Sequence, residues 1–124
     1  MKLKPVGFYS DTEFGEPGQP TLEGSCGKFS GPLEKMVSYL RSAHTIMMSG
    51  SGVYDELASG KPLIGALTIQ TDGNWVWPSS YPYYVEKYRM EVPAGLLDLA
   101  SSRNWVPPDF PDDADFESLM PFED

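Results

Sequence analysis

The dipeptide Asp72-Gly73 and its flanks constrain the fold more than any other part of this sequence. Two apolar and aromatic runs, residues 64–71 and 74–77, lie on either side of it. Asp and Gly both tolerate the positive φ that a two-residue hairpin turn needs, so the two runs are predicted to be antiparallel neighbouring strands. Pro78 has no backbone N–H and cannot continue the ladder of hydrogen bonds. The sequence therefore predicts a hairpin that ends at a proline.

Hydrophobic spacing predicts the other elements. Residues 5–9 are apolar and aromatic and read as a first strand. Residues 33–42 carry one apolar stripe at helical spacing, and residues 93–102 carry another. Residues 45–48 read as a buried strand that stops at the following Ser-Gly-Ser-Gly. A further helix should follow Pro78 and stop before Val92-Pro93, because a residue that precedes proline disfavours the helical region.

Together these elements predict an α+β fold. The expected architecture is a mainly antiparallel sheet of about four or five short strands, with roughly two or three helices packed on one face. The chain of 124 residues has the length of one domain, predicted over residues 1–108, with residues 109–124 as an acidic C-terminal tail. One core is expected to hold Val37, Leu40, Ile46, Ile69, Trp77 and Leu97.

Most of the net charge of −9 lies in the tail. Residues 1–108 carry eleven acids and nine bases, whereas residues 109–124 carry seven acids and no base. This charge argues against binding to nucleic acid or to an anionic membrane, where basic side chains must neutralise phosphate. It favours a basic protein partner, because complementary charge speeds encounter. A solvated tail that serves only solubility is the alternative. The acids are Asp109, Asp112, Asp113, Asp115, Glu117, Glu123 and Asp124.

The number of cysteines and the hydropathy of the sequence indicate the cellular compartment of the protein. Cys26 is the only cysteine, so no intramolecular disulfide can form, which is typical of a reducing compartment. No apolar run is long enough for a signal peptide, and none approaches the ~20 residues of a membrane span. The sequence predicts a cytoplasmic protein.

The residues that usually carry catalysis or bind metals are sparse. His44 is the only histidine and there is no Cys-x-x-Cys, so neither a metal site nor a cofactor is expected. A nucleophile–histidine pair would have to join His44 to Cys26 or to a serine. Asp55 and Glu56 are adjacent, and adjacent side chains on a strand point to opposite faces, which disfavours shared acid–base work. No catalytic residue is assigned, and the chain is predicted not to be an enzyme.

The aromatic block that follows the hairpin has two interpretations. Trp75 and Trp77 lie two residues apart on one strand and should face the same side. The favoured interpretation is that they pack against the next helix and anchor the hairpin to it. The alternative is that Trp75, Tyr81 and Tyr83 form an exposed patch, because Trp and Tyr are frequent hot-spot residues of protein interfaces.

The motifs quoted above carry a resemblance. Residues 30–108 resemble a group of small bacterial proteins in which a TDGxWxWP segment precedes YYVxxY, a short helix and an acidic tail. This chain has Ser79-Ser80-Tyr81-Pro82 where that group has Asp-Leu-Ala after Trp-Pro. Proteins of this size and charge are often immunity proteins of polymorphic toxin systems. The resemblance implies no catalytic residue.

The leading hypothesis is a cytoplasmic immunity protein that occludes the active site of a cognate, basic toxin domain. The alternative is an acidic adaptor or regulatory interaction module. The acids of the tail are interrupted by Phe110, Phe116 and Phe122. One hypothesis is that these side chains are apolar anchors for the partner. The alternative is that Phe110 and Phe116 fold back onto the domain. The oligomeric state is left open. The predicted partner-binding residues are Asp109, Asp112, Asp113, Asp115, Glu117, Phe116, Trp75, Tyr81 and Tyr83.

Overall fold

The computed structural model describes residues 2–121, and these form an α+β fold, as predicted. A four-stranded sheet, mostly antiparallel, has the strand order β1-β4-β3-β2. The helices lie on one face of this sheet. Phe122, one of the predicted tail anchors, lies outside the described residues. In chain order the elements are β1 (Lys4–Pro5), α1 (Leu22–Ser25), α2 (Leu33–Ser42), β2 (His44–Tyr54), β3 (Leu63–Thr71), β4 (Trp75–Pro78), α3 (Ser80–Tyr88), α4 (Ala94–Ser102) and a 3₁₀ turn (Glu117–Leu119).

The predicted hairpin is formed by β3 and β4, which pair antiparallel with Thr71 opposite Val76. This register leaves a longer connection than the predicted two-residue turn at Asp72-Gly73. Within the turn, Gly73 has a positive φ of 94° and Asp72 acts through its side chain instead. The Asp72 carboxylate accepts hydrogen bonds from the backbone N–H groups of Asn74 and Trp75 at 3.0 and 2.8 Å. Aspartate is favoured in turns for this reason as well as for its backbone freedom.

The first strand is shorter than predicted and pairs parallel with β4. Only Lys4–Pro5 belongs to β1, whereas the sequence indicated residues 5–9. Gly7 has a φ of 83°, and a Cβ at that position would lie 2.7 Å from the Cβ of Tyr81. The chain therefore turns out of the sheet at Gly7, because only glycine fits this close approach to α3.

The second strand differs most from its prediction. β2 runs from His44 to Tyr54, through the Ser-Gly-Ser-Gly that was expected to end it, and pairs with β3. It was predicted to be buried, yet Met47 and Met48 are 54% and 79% exposed. Pairing with β3 carries the strand through these residues, and the position of β2 at the edge of the sheet explains why Met47 and Met48 face solvent. The pairing is broken by register shifts, the largest between Met48 and Gly52.

The face of the sheet that the helices cover, here called the helix face, holds the larger core. Trp77 is fully buried there, and Trp75 packs beside it, so both point to the same side as expected. Gln70, opposite Trp77 on β3, donates from its amide to the carbonyls of Arg41 and Ala43 at 3.2 Å and so joins the sheet to the end of α2. Other buried members of this core are Val6, Tyr9, Met36, Val37, Tyr39, Leu40, Tyr81, Tyr84, Val85, Leu96 and Ala100.

The opposite face carries a second core, so the prediction of a single core is wrong for two residues. Ile46 and Ile69 pack on this side, here called the tail face, whereas Leu97 packs against the helix-face core. Successive strand residues point to opposite faces, and because Gln70 faces the helices, Ile69 must face away from them. The buried members of the tail-face core are Leu3, Phe8, Val76 and Phe116.

Candidate protein-binding groove

The acidic C-terminal segment folds back over the tail face of the sheet. Phe116 is 7% exposed, and its ring lies 4.9 Å from that of Phe110 and 5.6 Å from that of His44. The backbone N–H of Leu3 donates to the carbonyl of Leu119 at 2.8 Å, which ties the segment to the N-terminus. Of the two alternatives for the tail, folding back is the observed one for Phe110 and Phe116. Phe116 is thus a core residue and cannot also anchor in a partner without leaving that core.

A groove opens between this segment and β2, and it is called the acidic groove below. Its empty volume is about 860 Å³, including space that is open to solvent. β2 contributes only apolar residues to its lining, whereas the returning segment contributes both apolar residues and four carboxylates. The apolar lining consists of Ile46, Met47, Ala114, Phe116 and Met120, and the acidic lining consists of Asp112, Asp113, Asp115 and Glu117.

The acids of the groove differ in how far the fold already uses them. Asp115 accepts hydrogen bonds from the backbone N–H of Glu117 and from the N–H and hydroxyl of Ser118, so it shapes the 3₁₀ turn. Asp112 and Asp113 are exposed and make neither a hydrogen bond nor an ion pair with the described residues. Like charges placed around a concave surface concentrate the field and attract oppositely charged groups. The Glu117 carboxylate is likewise exposed and has no hydrogen-bond or ion-pair partner among the described residues, since only the Glu117 backbone is used. Asp112, Asp113 and Glu117 are therefore the most available charges of the groove.

The remaining predicted partner-binding residues do not join the groove. Asp109 is exposed but is not among the residues that line it. Trp75 is half-buried against the helix-face core, with the Lys4 ammonium 5.4 Å from its ring centre. Tyr81 is fully buried, and its hydroxyl donates to the carbonyl of Glu91, so the prediction of an exposed Tyr81 is wrong. The packing of Tyr81 against the helix-face core, where Gly7 approaches it, leaves no surface for a partner.

Tyr83, the last of the predicted set, belongs to a polar cluster that was not foreseen. Asp55 has a side chain with no solvent exposure, and one of its oxygens accepts from the hydroxyls of Tyr83 and Tyr88 at 2.7 and 2.8 Å. The same oxygen receives the Lys87 ammonium at 3.2 Å. The other oxygen accepts from the backbone N–H of Leu57, among others. The cluster fastens the β2–β3 loop to α3.

The environment of Asp55 shifts the pKa values within this cluster. Burial would by itself raise the pKa of the Asp55 carboxyl, but the hydrogen bonds from Tyr83, Tyr88, the Leu57 backbone and Lys87 outweigh it and lower the pKa. The hydrogen bonds to Tyr83 and then to Asp55 raise the pKa of Lys87. Desolvation and then the Asp55 carboxylate raise the pKa of Tyr88. An ionised Asp55 held by several hydrogen-bond donors is a stable structural arrangement rather than one poised for proton transfer near neutral pH.

A second carboxylate is fixed in the same way at the hairpin. Asp72 is fully buried and accepts from the hydroxyl of Tyr39 at 2.7 Å. Arg103, from the end of α4, lies 3.6 Å from the same carboxylate and also donates to the Asp72 carbonyl and to Asn74. The sequence predicts only a turn at Asp72, because these partners lie 31 and 33 residues away along the chain.

The candidate nucleophile–histidine pair is not brought together. Cys26 packs against the helix-face core, whereas the His44 ring contacts Phe110 and Phe116 on the tail face. Among residues 2–121, no three His, Cys, Asp or Glu side chains are grouped so that they could hold a metal ion. Within the same residues, no helix has the length and apolar character that crossing a membrane requires.

A smaller cavity lies between the loop after β1 and the end of β2. Its empty volume is about 430 Å³, again including open space, and its lining is mainly aromatic and aliphatic. Glu56 at its margin already forms an ion pair with Lys61 at 3.1 Å. This cavity lacks the grouped, unpaired charges that distinguish the acidic groove.

Comparisons with known proteins add no assignment. No protein-family model matches the chain, and neither a curated protein nor a solved structure gives a match.

Proposed function

We propose that this protein is an immunity protein that binds a basic toxin domain through the acidic groove and thereby blocks the active site of the toxin. The observation that carries the proposal is the combination of free carboxylates and exposed apolar surface in one concave site. Asp112 and Asp113 supply unpaired charge, and Met47 supplies apolar contact surface beside them. Charge of this kind steers a basic partner to the site, and apolar contacts at its centre add affinity.

The fold supports occlusion more than it supports catalysis. The buried carboxylates, Asp55 and Asp72, are committed to structural contacts, and the carboxylates that remain free lie at the surface. A protein that acts by occlusion needs a rigid surface and no reacting group. Such a protein meets its toxin in the cytoplasm, which agrees with a chain that has a single cysteine.

The first test is the genetic setting of the chain. A neighbouring gene for a large secreted protein with a variable C-terminal domain is expected. That C-terminal domain, expressed alone, should arrest growth, and coexpression of this chain should restore it. A basic partner that has no toxic activity would instead support the adaptor alternative.

The second test removes charge from the groove without changing its shape. The double variant Asp112→Asn, Asp113→Asn should lose most of the protection and should associate more slowly with the toxin domain. The matched control is Glu34→Gln, Asp98→Asn, which removes the same charge from exposed helical positions outside the groove. Equal protection by both double variants, measured as growth and as association rate at low salt, would exclude the groove as the binding site.

A further inference from the structure

The outer edge of β2 is open. β2 stands last in the sheet order, and among the described residues no strand pairs with the side that faces away from β3. Such an edge presents a row of backbone N–H and C=O groups to any extended chain that can reach it. Edge strands are usually short, whereas β2 spans eleven residues.

The edge also lacks the residues that normally protect one. β2 contains no lysine, proline, aspartate or glutamate. The pairing of β2 with β3 is irregular between Met48 and Gly52, because four residues along β2 span the same distance as two residues along β3. A bulge of this kind blunts the middle of an edge. The stretch from His44 to Met48 lies before that bulge and has only a smaller irregularity, a shift of one residue between Thr45 and Met47. It is therefore the longer and more regular half of the edge, and the half that can still accept a strand.

The acidic groove lies beside this same half. Ile46 and Met47 belong to β2 and line the groove together with Asp112 and Asp113. A strand added beside β2 would place every second side chain on the groove side, about 7 Å apart. Lysine or arginine at those positions would meet the carboxylates, while the backbone of the strand would pair with β2.

We infer that residues 44–48 are a docking edge for an extended basic strand of the partner, which joins the sheet beside β2 with its cationic side chains over the acidic groove. This inference rests on the proposed function, since it specifies how the basic toxin domain is held. Backbone pairing supplies affinity in this mode of recognition, and alternate side chains supply specificity.

The charge of the chain favours a basic strand of the partner at this edge over a second copy of the same chain. Two copies joined through their β2 edges would bring two acidic segments together, each with five acids and no base over residues 109–121. Like charges in such proximity oppose association. A basic strand removes this repulsion and replaces it with attraction.

The test uses a short peptide of alternating lysine and valine as the probe. Its control has the same sequence but carries N-methyl groups on alternate backbone nitrogens, which keeps the charge and removes the donors for strand pairing. The unmodified peptide should bind at low salt and slow amide exchange at residues 44–48, and the methylated one should bind about tenfold more weakly or worse. Equal affinity, or no binding by the unmodified peptide, would overturn strand addition.

A pair of protein variants completes the test. Met48→Lys places a protecting charge on the edge, and Val106→Lys places the same charge at another exposed apolar position, 66% exposed and outside β2. With both variants folded by circular dichroism, Met48→Lys should weaken peptide binding about tenfold and Val106→Lys by less than about threefold. Equal weakening of peptide binding by the two variants would overturn the inference. Dimerisation of the unmodified chain that Met48→Lys abolishes would also overturn it, because the edge would then bind a second copy. Normal peptide binding by a chain that protects against no toxin would refute the proposed function alone.

Discussion

The two faces of the sheet differ in how they are covered. Three helices of nine or ten residues and the short α1 cover the helix face, and its core includes Trp77, Tyr39 and Tyr84. Within residues 2–121, the tail face has four buried core residues, and it is covered by an irregular segment that includes a 3₁₀ turn. The acidic groove and the open edge of β2 both adjoin the thinner cover. The helix face thus holds most of the core, and the tail face leaves charge and apolar surface exposed, which is where we propose that a partner binds.

The largest expected effect is at the centre of the helix face. Trp77→Ala should lower the free energy of unfolding by about 3–5 kcal/mol, because it opens a cavity at a fully buried position. The Trp77 indole N–H has no hydrogen-bond partner among residues 2–121, so Trp77→Phe should cost less, since it removes that unpaired donor while keeping much of the ring. Chemical denaturation measures both variants. An unchanged unfolding midpoint for Trp77→Ala would contradict the assignment of this side chain to the core.

The corresponding substitution on the tail face tests the comparison directly. Phe116→Ala should cost about 3 kcal/mol or less, because the returning segment can relax toward the sheet more easily than packed helices can. It should also release the segment, which hydrogen exchange at Leu3 and Leu119 would detect through the bond that joins them. If Phe116→Ala lowers the free energy of unfolding more than Trp77→Ala does, the tail face contributes more to stability than its smaller core indicates.

The elements with strong local patterns were predicted well. The hairpin, the apolar stripe of α2 and the proline-delimited α3 and α4 follow from turn chemistry, helical spacing and proline stops. Those signals depend on neighbouring residues, so the sequence alone is enough to predict them. The acidity of the segment that holds Asp112 and Asp113 is likewise visible in composition, whereas a binding role for these acids stays a prediction.

The failures all involve contacts between residues far apart in the sequence. Met47 and Met48 form an apolar run that is typical of a buried strand, and only the sheet order puts them on an edge. Tyr81 was placed at the surface because tyrosine is common at interfaces, but the approach of Gly7 buries it. The Asp55 cluster depends on hydrogen bonds to residues 28 to 33 positions away, and no local pattern marks such partners.

A smaller effect on stability is expected from the Asp55 cluster, and it should depend on pH. Asp55→Asn should cost about 1–3 kcal/mol at neutral pH, since the tyrosine and lysine donors lose a charged acceptor. The pKa of Asp55 is lower in the folded protein than its ordinary value of 3.8, so the contribution is complete above that value and is lost as the pH falls through the folded pKa.

The pH dependence separates this effect from a simple loss of packing. In urea titrations, the difference in unfolding free energy between the native chain and Asp55→Asn should shrink as the pH is lowered below the ordinary carboxyl range. The exposed Asp98→Asn serves as the control and should show a much smaller difference. A difference for Asp55→Asn that stays constant down to acidic pH would show that the ionised carboxylate is not what stabilises the β2–β3 loop.

The smallest expected effect on stability is at the acidic groove, and it distinguishes a binding surface from a structural one. Asp112→Asn, Asp113→Asn should change the free energy of unfolding by less than about 0.5 kcal/mol, because both side chains are exposed and neither has a partner among the described residues. We expect a slight rise in the free energy of unfolding rather than a fall, because the substitutions relieve repulsion between the neighbouring acids. This rise should fade as added salt screens charges over ~8–10 Å. A loss comparable to that of Phe116→Ala in the same denaturation experiment would mean that these carboxylates hold the returning segment in place, and the division of the sheet into a stabilising face and a binding face would then fail.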